Sequence, residues 1–128
     1  MCISMLFRWV RPMTLAQATY TTLTKPFSLN NAYANGNKGR FPTKKYKAWK
    51  IAVGWEFKSQ LKAKVIGRYK LIIRVNEHVT KADIDNLIKG FADVLVTIGA
   101  TEDDSIMRGV DIEYEDRENT IIWIESRT

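Results

Sequence analysis

The chain has 128 residues, a formal net charge of +6 and a hydrophobic fraction of 45%. This length is typical of one domain, since domains usually hold about 100–200 residues. No apolar run approaches the roughly 18–20 residues of a membrane span, and Cys2, as the single cysteine, excludes an internal disulfide. We therefore expect a soluble protein of a reducing cytoplasm, without a membrane partner and without a Cys/His site for zinc.

The charge is divided unevenly along the chain. Residues 1–81 hold 16 Lys/Arg against two acidic residues, whereas residues 82–128 hold four Lys/Arg against 12 acidic residues. Such asymmetry is typical of a protein that contacts nucleic acid, or of a fold that compensates its own charge. Because the acids include clustered aspartates, the pattern favours a contact with nucleic acid.

The amino-terminal part predicts an arm, a strand and a loop. Residues 1–15 contain a short apolar run, but the arginines follow it, whereas a signal peptide carries its positive charge first. A signal peptide is therefore not expected, and the segment is interpreted as a flexible arm or a mis-assigned start. Residues 16–128 then form the domain. The segment 16–23 is rich in threonine and predicts an opening strand. After a turn near Pro26, the polar residues 33–42 predict an exposed loop.

A helix is predicted after Pro42, and a strand after that helix. Thr43 suits the N-cap, because its hydroxyl can accept a bond from a free N–H of the first turn. An apolar stripe with helical spacing runs through about Leu61. Its members are Tyr46, Trp49, Val53 and Phe57. Residues 68–76 are rich in β-branched side chains and predict a strand.

A second helix is predicted to begin near Asp83–Asp85 and to end at Gly99. Its buried stripe consists of Leu87, Ile88, Phe91, Leu95 and Ile98. Two strands follow, over about 104–115 and 120–124, and we expect them to pair as a hairpin. The order β-α-β-α-β-β predicts an α+β (α/β-like) fold, a single small domain with a mixed sheet of about four strands packed by two helices.

Two aspartates at alternate positions, Asp83 and Asp85, predict a metal site at the start of the second helix. Residues two apart in extended chain point the same way, and hard cations such as Mg²⁺ prefer carboxylate oxygens. Lys89 follows Asp85 by one helical turn, where its ammonium can meet a phosphate. Asp104 shares the parity of the apolar positions in its strand, so we expect it, rather than Asp103, to point inward as a third ligand.

The same residues have plainer explanations. Asp83 or Asp85 fits an N-cap, a position that aspartate favours. Lys89 fits an ordinary exposed lysine, residues 102–104 fit a solvated turn, and His78 fits an incidental surface histidine. A D-x-D pattern is a weak signal by itself. The residue pattern therefore leaves a metal site and a solvated helix start both open.

At these residues the chain resembles the RusA-type Holliday junction resolvases, small endodeoxyribonucleases often carried by phages and prophages. The similar segments are D-I-D-N-L-I-K-G-F-A-D-V-L from Asp83 to Leu95 and E-D-D at Glu102–Asp104. Upstream, residues 26–33, Gly39-Arg-Phe and Tyr46-Lys-Ala-Trp49 also resemble the family. The similarity spans roughly residues 25–125.

The resemblance implies a homodimer that binds four-way DNA junctions and uses Mg²⁺, for which Mn²⁺ can substitute, to nick two strands symmetrically. By position, it makes Asp83, Asp85 and Asp104 the catalytic, metal-binding aspartates and Lys89 the active-site lysine. Asp93 also matches the family, either as a participant or as a supporting or capping group.

Between residues 38 and 50, basic residues are interleaved with aromatic ones, which suits salt-dependent contacts with phosphates. A flexible loop there can adapt to an open junction, or insert Phe41 between bases. The candidate DNA-binding residues are Asn30, Asn31, Lys38, Arg40, Lys44, Lys45, Lys47, Lys81 and Asn86. The alternative is a solvated helix face, and for Tyr46 and Trp49 we favour a place in the core.

These features predict a magnesium-dependent endodeoxyribonuclease, a crossover junction endonuclease that resolves four-way junctions by paired symmetric nicks in DNA recombination and repair. We expect it in the cytoplasm of a bacterial or phage-infected cell, with no small-molecule substrate. Two alternatives stay open. One is a nuclease for other branched DNA, such as forks or flaps, and the other is a non-catalytic DNA-binding protein whose acids only balance its basic half.

Overall fold

The computed structural model of the protein describes residues 17–37, 39–78 and 83–127. The arm predicted for residues 1–15 lies outside them. In chain order the strands are β1 Gln17–Thr22, β2 Tyr33–Gly36, β3 Gly39–Pro42, β4 Tyr69–Asn76, β5 Met107–Glu115 and β6 Thr120–Ser126. The α-helices are α1 Lys44–Gln60 and α2 Ile88–Thr97. The prediction of a small α+β domain with a mixed four-stranded sheet and two helices is confirmed.

The four-stranded sheet has the order β1-β6-β4-β5. β5 runs parallel to β4, and the chain reaches it through α2, as parallel neighbours require a crossover connection. β6 is antiparallel to both of its neighbours, β4 and β1. The predicted hairpin of the last two strands is therefore wrong, because β6 inserts between β1 and β4 and leaves β5 at the edge.

Burial and charge explain why β6 takes the inner position. Ile122 and Ile124 of β6 are fully buried, as suits a strand with a neighbour on each side. β5 instead carries three carboxylates on one face, and Arg74 of β4 contacts all of them. The nitrogen–oxygen distances from Arg74 are 3.0 Å to Asp111, 3.1 Å to Glu113 and 3.4 Å to Glu115.

Helix α1 forms where the sequence predicts it. The Thr43 hydroxyl caps its first turn by accepting a bond from the Tyr46 N–H at 3.2 Å. The predicted stripe of Tyr46, Trp49, Val53 and Phe57 is buried, and the helix ends one residue before Leu61. These side chains pack against the sheet face that β1, β4 and β6 turn toward the helices.

Helix α2 begins later than predicted. Residues Ile84–Leu87 form a 3-10 helix, and the α-helix starts only at Ile88. The end of α2 agrees with the prediction, because Gly99 adopts a φ of 83°, a backbone angle that residues with a Cβ rarely adopt. Of the predicted stripe, Leu87, Phe91 and Leu95 are fully buried, while Ile88 and Ile98 pack at the edge of the core.

The loop predicted for residues 33–42 is instead a short hairpin, and that prediction is wrong. Strands β2 and β3 pair from Tyr33↔Pro42 to Gly36↔Gly39. Gly39, with a φ of 101°, follows the turn. Arg40 lies over the Tyr33 ring at 5.0 Å, so a cross-strand neighbour contact helps to hold a segment that buries little apolar surface. None of the helices in the described residues is long and apolar enough to cross a membrane.

Candidate functional site

The two aspartates at alternate positions lie where the chain enters the 3-10 helix Ile84–Leu87. Asp83 has extended backbone angles, φ −64° and ψ 136°, and its carbonyl oxygen accepts the Asn86 N–H at 3.0 Å. Although Asp83 occupies the N-cap position, its side chain makes no capping hydrogen bond. Asp85 lies in the first turn of the same 3-10 helix. The backbone, and not the Asp83 carboxylate, therefore closes this turn.

Both carboxylates are accessible. Asp83 and Asp85 are exposed, and no cation within residues 17–37, 39–78 and 83–127 pairs with either. Asp83 also lies near β5, where its charge adds to burial in raising the pKa of the Tyr114 hydroxyl. Oxygen donors at alternate positions, without a cation partner in the part of the chain that the structure describes, suit a hard divalent cation.

Lys89 and Asp93 form an ion pair across the first two turns of α2, with 3.0 Å between the Lys89 nitrogen and the Asp93 carboxylate. Asp93 also accepts the Tyr46 hydroxyl at 2.5 Å, a bond that joins α2 to α1. Burial, followed by this bond, raises the pKa of Tyr46 well above its ordinary value, so the hydroxyl remains a donor. Asp93 thus has the position of a supporting group that fixes Lys89.

Close packing of α2 against α1 fixes the backbone that carries Lys89. Gly90 follows it, and a Cβ built on Gly90 would meet the Trp49 ring at 3.0 Å. The Trp49 ring N–H donates to the Lys25 carbonyl at 2.7 Å, which ties the segment before α1 to the same place. The core positions favoured for Tyr46 and Trp49 are confirmed.

Asp104 opens another 3-10 helix, Asp104–Ile106, which contacts α2. Strand β5 begins only at Met107, so the strand parity used to choose Asp104 over Asp103 does not apply, and that argument is wrong. Asp103 is exposed, and its carboxylate accepts the Ser105 N–H at 3.2 Å. The Asp104 side chain lies outside the described part of the structure, so its role as a third metal ligand stays a prediction.

Several predicted DNA-binding residues adjoin the aspartate pair. Asn30 and Asn31 are exposed on the 3-10 helix Leu29–Asn31, which contacts both the 3-10 helix Ile84–Leu87 and α2. Asn86 is half-buried within the former. The Thr43 hydroxyl donates to the Asn31 carbonyl at 3.0 Å, which connects this corner to the start of α1.

The predicted basic residues lie on β3 and the first turns of α1. Arg40, Lys44, Lys45 and Lys47 are exposed there, and Phe41 beside them is 47% exposed. Lys50 lies over the Tyr46 ring at 4.6 Å. Lys38 and Lys81 fall outside the described residues, so their predicted DNA contacts are not placed.

One cluster near the end of β4 was missed by sequence reasoning, which treated His78 as incidental. Potential ligand atoms of Glu77, His78 and Asp116 lie within 4.8 Å of one another. The His78 Nε2 and an Asp116 oxygen are 2.6 Å apart, and this hydrogen bond is the main cause that raises the pKa of His78. The partners are 38 residues apart in sequence, so no local spacing could have indicated them.

The fold and the exposed aspartates define a small α+β domain with a candidate site for a divalent cation. The family model of endodeoxyribonuclease RusA matches residues 24–125, which include every described element from the 3-10 helix Leu29–Asn31 to most of β6. The chain therefore belongs to the endodeoxyribonuclease RusA family. A search of curated proteins found no match to the chain.

Proposed function

We propose that the protein is a magnesium-dependent endodeoxyribonuclease that resolves four-way DNA junctions by paired symmetric nicks. The observation that carries the proposal is the pair of exposed carboxylates of Asp83 and Asp85, with which no cation of the described residues pairs. Lys89, held by Asp93, follows Asp85 by four residues in a chain of this family. Recombination and repair in a bacterial or phage-infected cell's cytoplasm is the setting that we propose for this activity.

The donor set suits Mg²⁺, with Mn²⁺ as a substitute, because it offers hard carboxylate oxygens and no thiolate. In the proposal, Asp83, Asp85 and Asp104 hold the metal. A bound Mg²⁺ would supply neutralisation of phosphate charge and activation of a water for attack on the phosphodiester. The cluster of Glu77, His78 and Asp116 is a second set of donors for a cation, and no step of the proposal depends on it.

The protein's own residues contribute positioning and charge. Lys89 neutralises negative charge that develops on the scissile phosphate, an electrostatic role that is effective when the cation is already oriented. Its orientation comes from Asp93, which the Tyr46 hydroxyl holds in turn. Asp93 is therefore a positioning residue in this proposal, and Lys89 and the three aspartates are catalytic.

DNA is held, in the proposal, by the residues that surround this corner of the domain. The exposed Arg40, Lys44, Lys45 and Lys47 contact phosphates, and such contacts release counterions and make binding depend on salt. Asn30, Asn31 and Asn86 lie closer to the aspartates and contact the strand near the cut. A homodimer is proposed because a four-way junction has approximate two-fold symmetry, so an isologous dimer presents identical sites to both strands that are cut.

Asp85→Asn tests the proposal most simply. We expect this variant to bind a synthetic four-way junction like the wild type but to lose cleavage in Mg²⁺, because an amide is a poorer ligand than a carboxylate. Gel analysis of end-labelled strands measures both properties. Glu118→Gln removes an exposed carboxylate from the turn before β6 and is the matched control, with cleavage retained.

Two results would contradict the proposal. Cleavage by Asp85→Asn at the wild-type rate would remove the assigned site. Junction binding by the wild type without nicks in Mg²⁺ or Mn²⁺ would favour a non-catalytic DNA-binding protein. A panel of forks, flaps and junctions then separates a resolvase from a nuclease for other branched DNA.

A further inference from the structure

A groove runs between the outer face of α1 and the carboxyl end of α2. Its volume is about 420 Å³, and we call it the helix groove. Its apolar lining comes from Ile51, Gly54 and Trp55 of α1 and from Ile98. Ile51 and Trp55 are 63% and 69% exposed, so these large apolar side chains contribute little to the core. They are separated by one helical turn and lie off the buried stripe of α1.

The rim of the helix groove is basic. Lys47, Lys50 and Lys58 line it, and no carboxylate does so among the described residues. The nearby Glu56 is turned toward β1 and the segment that follows it, where it accepts the hydroxyls of Thr22 and Thr24. The Lys58 ammonium lies 5.8 Å from the centre of the Trp55 ring, on its face, so the ring and the charge are presented together.

A flat aromatic ring beside several ammonium groups is the combination that binds a single nucleic-acid strand. Bases stack on the ring, and lysines neutralise the phosphates on either side. A second copy of the chain that docked through the same groove around a two-fold axis would place lysines against lysines, since an isologous contact repeats the same patch. Charge complementarity therefore favours a polyanion over a self-association contact.

The groove and Lys89 lie at opposite ends of α2. Lys89 is in the first turn of α2 and Ile98 directly follows its last residue. Nine residues at a rise of about 1.5 Å place the two about 14 Å apart along the helix axis. A DNA strand that contacts both positions has to span at least this axial distance.

We propose that the helix groove binds a DNA strand near the branch point, with an unstacked base or an exposed terminal base pair on Trp55 and flanking phosphates on Lys47, Lys50 and Lys58. This inference rests on the proposed function, because the proposed function supplies DNA as the substrate. The inference adds a stacking site on α1, separate from the metal-binding aspartates. Of the basic residues proposed to bind DNA at the start of α1, only Lys47 also lines the groove.

The test compares Trp55→Ala with Leu23→Ala, which removes a different exposed apolar side chain outside the groove. Affinity for a four-way junction is measured by fluorescence anisotropy in Ca²⁺ at several salt concentrations, with cleavage in Mg²⁺ measured alongside. Loss of base stacking should weaken binding by Trp55→Ala about tenfold. Leu23→Ala should bind like the wild type, and Trp55→Phe, which retains an aromatic face, should recover most of the affinity.

The salt dependence separates stacking from charge. Trp55→Ala should leave the slope of log K against log salt unchanged, because no ion is released from an indole. The double variant Lys47→Gln/Lys58→Gln should reduce the slope by about 1.5, since each lost phosphate contact removes about 0.7–0.9. The chain has four tryptophans, so fluorescence is compared in a Trp9→Phe/Trp123→Phe background, where Trp49 is buried in the core. Quenching on DNA binding should be largely lost when Trp55→Phe is added to that background.

Each other outcome overturns the inference. If the wild type cleaves the junction and Trp55→Ala binds it equally well, the groove is not a DNA site while the proposed function stands. If the wild type binds no branched DNA, both fail. Two results would show a protein occupant in the groove. One is a change of oligomeric state in Trp55→Ala, measured by sedimentation. The other is protection of Trp55 from iodide quenching in the absence of DNA.

Discussion

At the scale of single residues, the candidate site combines unpaired carboxylates with a cation that is held by partners. Asp83 and Asp85 are exposed and pair with no described cation, whereas Lys89 is bound by Asp93, which also accepts the Tyr46 hydroxyl. A group that must bind a metal benefits from free oxygens, and a group that must meet a phosphate benefits from a fixed direction. The two arrangements fit the two roles that we propose.

Lys89→Ala should slow junction cleavage by at least about 100-fold, because removal of one electrostatic donor to a reacting group typically costs a factor of this order. Asp93→Asn should slow it less, by about tenfold, because Lys89 is retained but loses its ionic partner. Single-turnover rates on a bound junction measure both effects. An unchanged rate for Lys89→Ala would make it an ordinary surface lysine.

The pKa of His78 should lie above its ordinary value of about 6.5, because the protonated ring donates a hydrogen bond to the Asp116 carboxylate. Since the folded state binds the proton more tightly, this contribution to stability is present below the unfolded pKa and is lost as pH rises through the folded pKa. NMR titration can follow it directly, because the chain has one histidine.

Asp116→Asn should return the His78 pKa toward its ordinary value in the same titration, and Glu118→Gln in the same turn should leave it raised. A wild-type His78 that titrates at or below about 6.5 would contradict the ion pair with Asp116.

At the scale of elements, the positions of α1 and α2 and the faces that they bury were predictable from the sequence. The apolar residues that recur at helical spacing are the ones that pack in the core. Tyr46, Trp49, Val53 and Phe57 recur at helical spacing and are buried. The start of α2 was not predictable, since Asp83 and Asp85 suit both an α-helix and the 3-10 turn that forms. The hydrogen bond from Tyr46 to Asp93 spans 47 residues and depends on how the helices cross, which no local pattern encodes.

Phe57→Ala should destabilise the domain by about 3–5 kcal/mol, because truncation of a buried phenylalanine combines lost transfer energy with a cavity. Phe57 is fully buried and contacts Tyr20 of β1 and Phe91 of α2, with ring centres 5.3 Å and 6.2 Å away. Chemical denaturation measures the change in the free energy of unfolding.

Ile51→Ala, on the exposed face of the same helix, is the control for that prediction and should stay within about 0.5 kcal/mol of the wild type. Equal effects of the two substitutions would contradict the packing of α1 against the sheet and α2.

At the scale of the whole molecule, the mixed sheet and its two helices followed from the order of elements, but the position of β6 did not. A strand that follows another after a short turn usually pairs with it, whereas here β6 pairs with β4 and β1. The deciding contacts are nonlocal, since Arg74 of β4 holds the three acids of β5 beside it and the buried Ile122 and Ile124 require an inner strand. The cluster of Glu77, His78 and Asp116 arises because β4 and β5 are parallel neighbours, so the residues that follow these strands lie side by side.

The division of charge that is visible in the sequence takes a spatial form in the fold. The acids of β5 are neutralised in part by Arg74, whereas Arg40, Lys44, Lys45 and Lys47 stay exposed near the start of α1. The basic surface is thus available for an external polyanion, while part of the acidic half is used inside the fold. This difference argues against a chain whose two halves only compensate each other.

The most direct test of the central claim is cleavage of a supercoiled plasmid that extrudes a four-way cruciform. Paired nicks on opposite strands during one binding event convert the plasmid to a linear form, whereas independent single nicks first yield open circles. We predict linear product with the wild type in Mg²⁺, and none with EDTA or with Asp85→Asn. Intact plasmid after incubation with the wild type in Mg²⁺, or linear product from Asp85→Asn, would contradict the account.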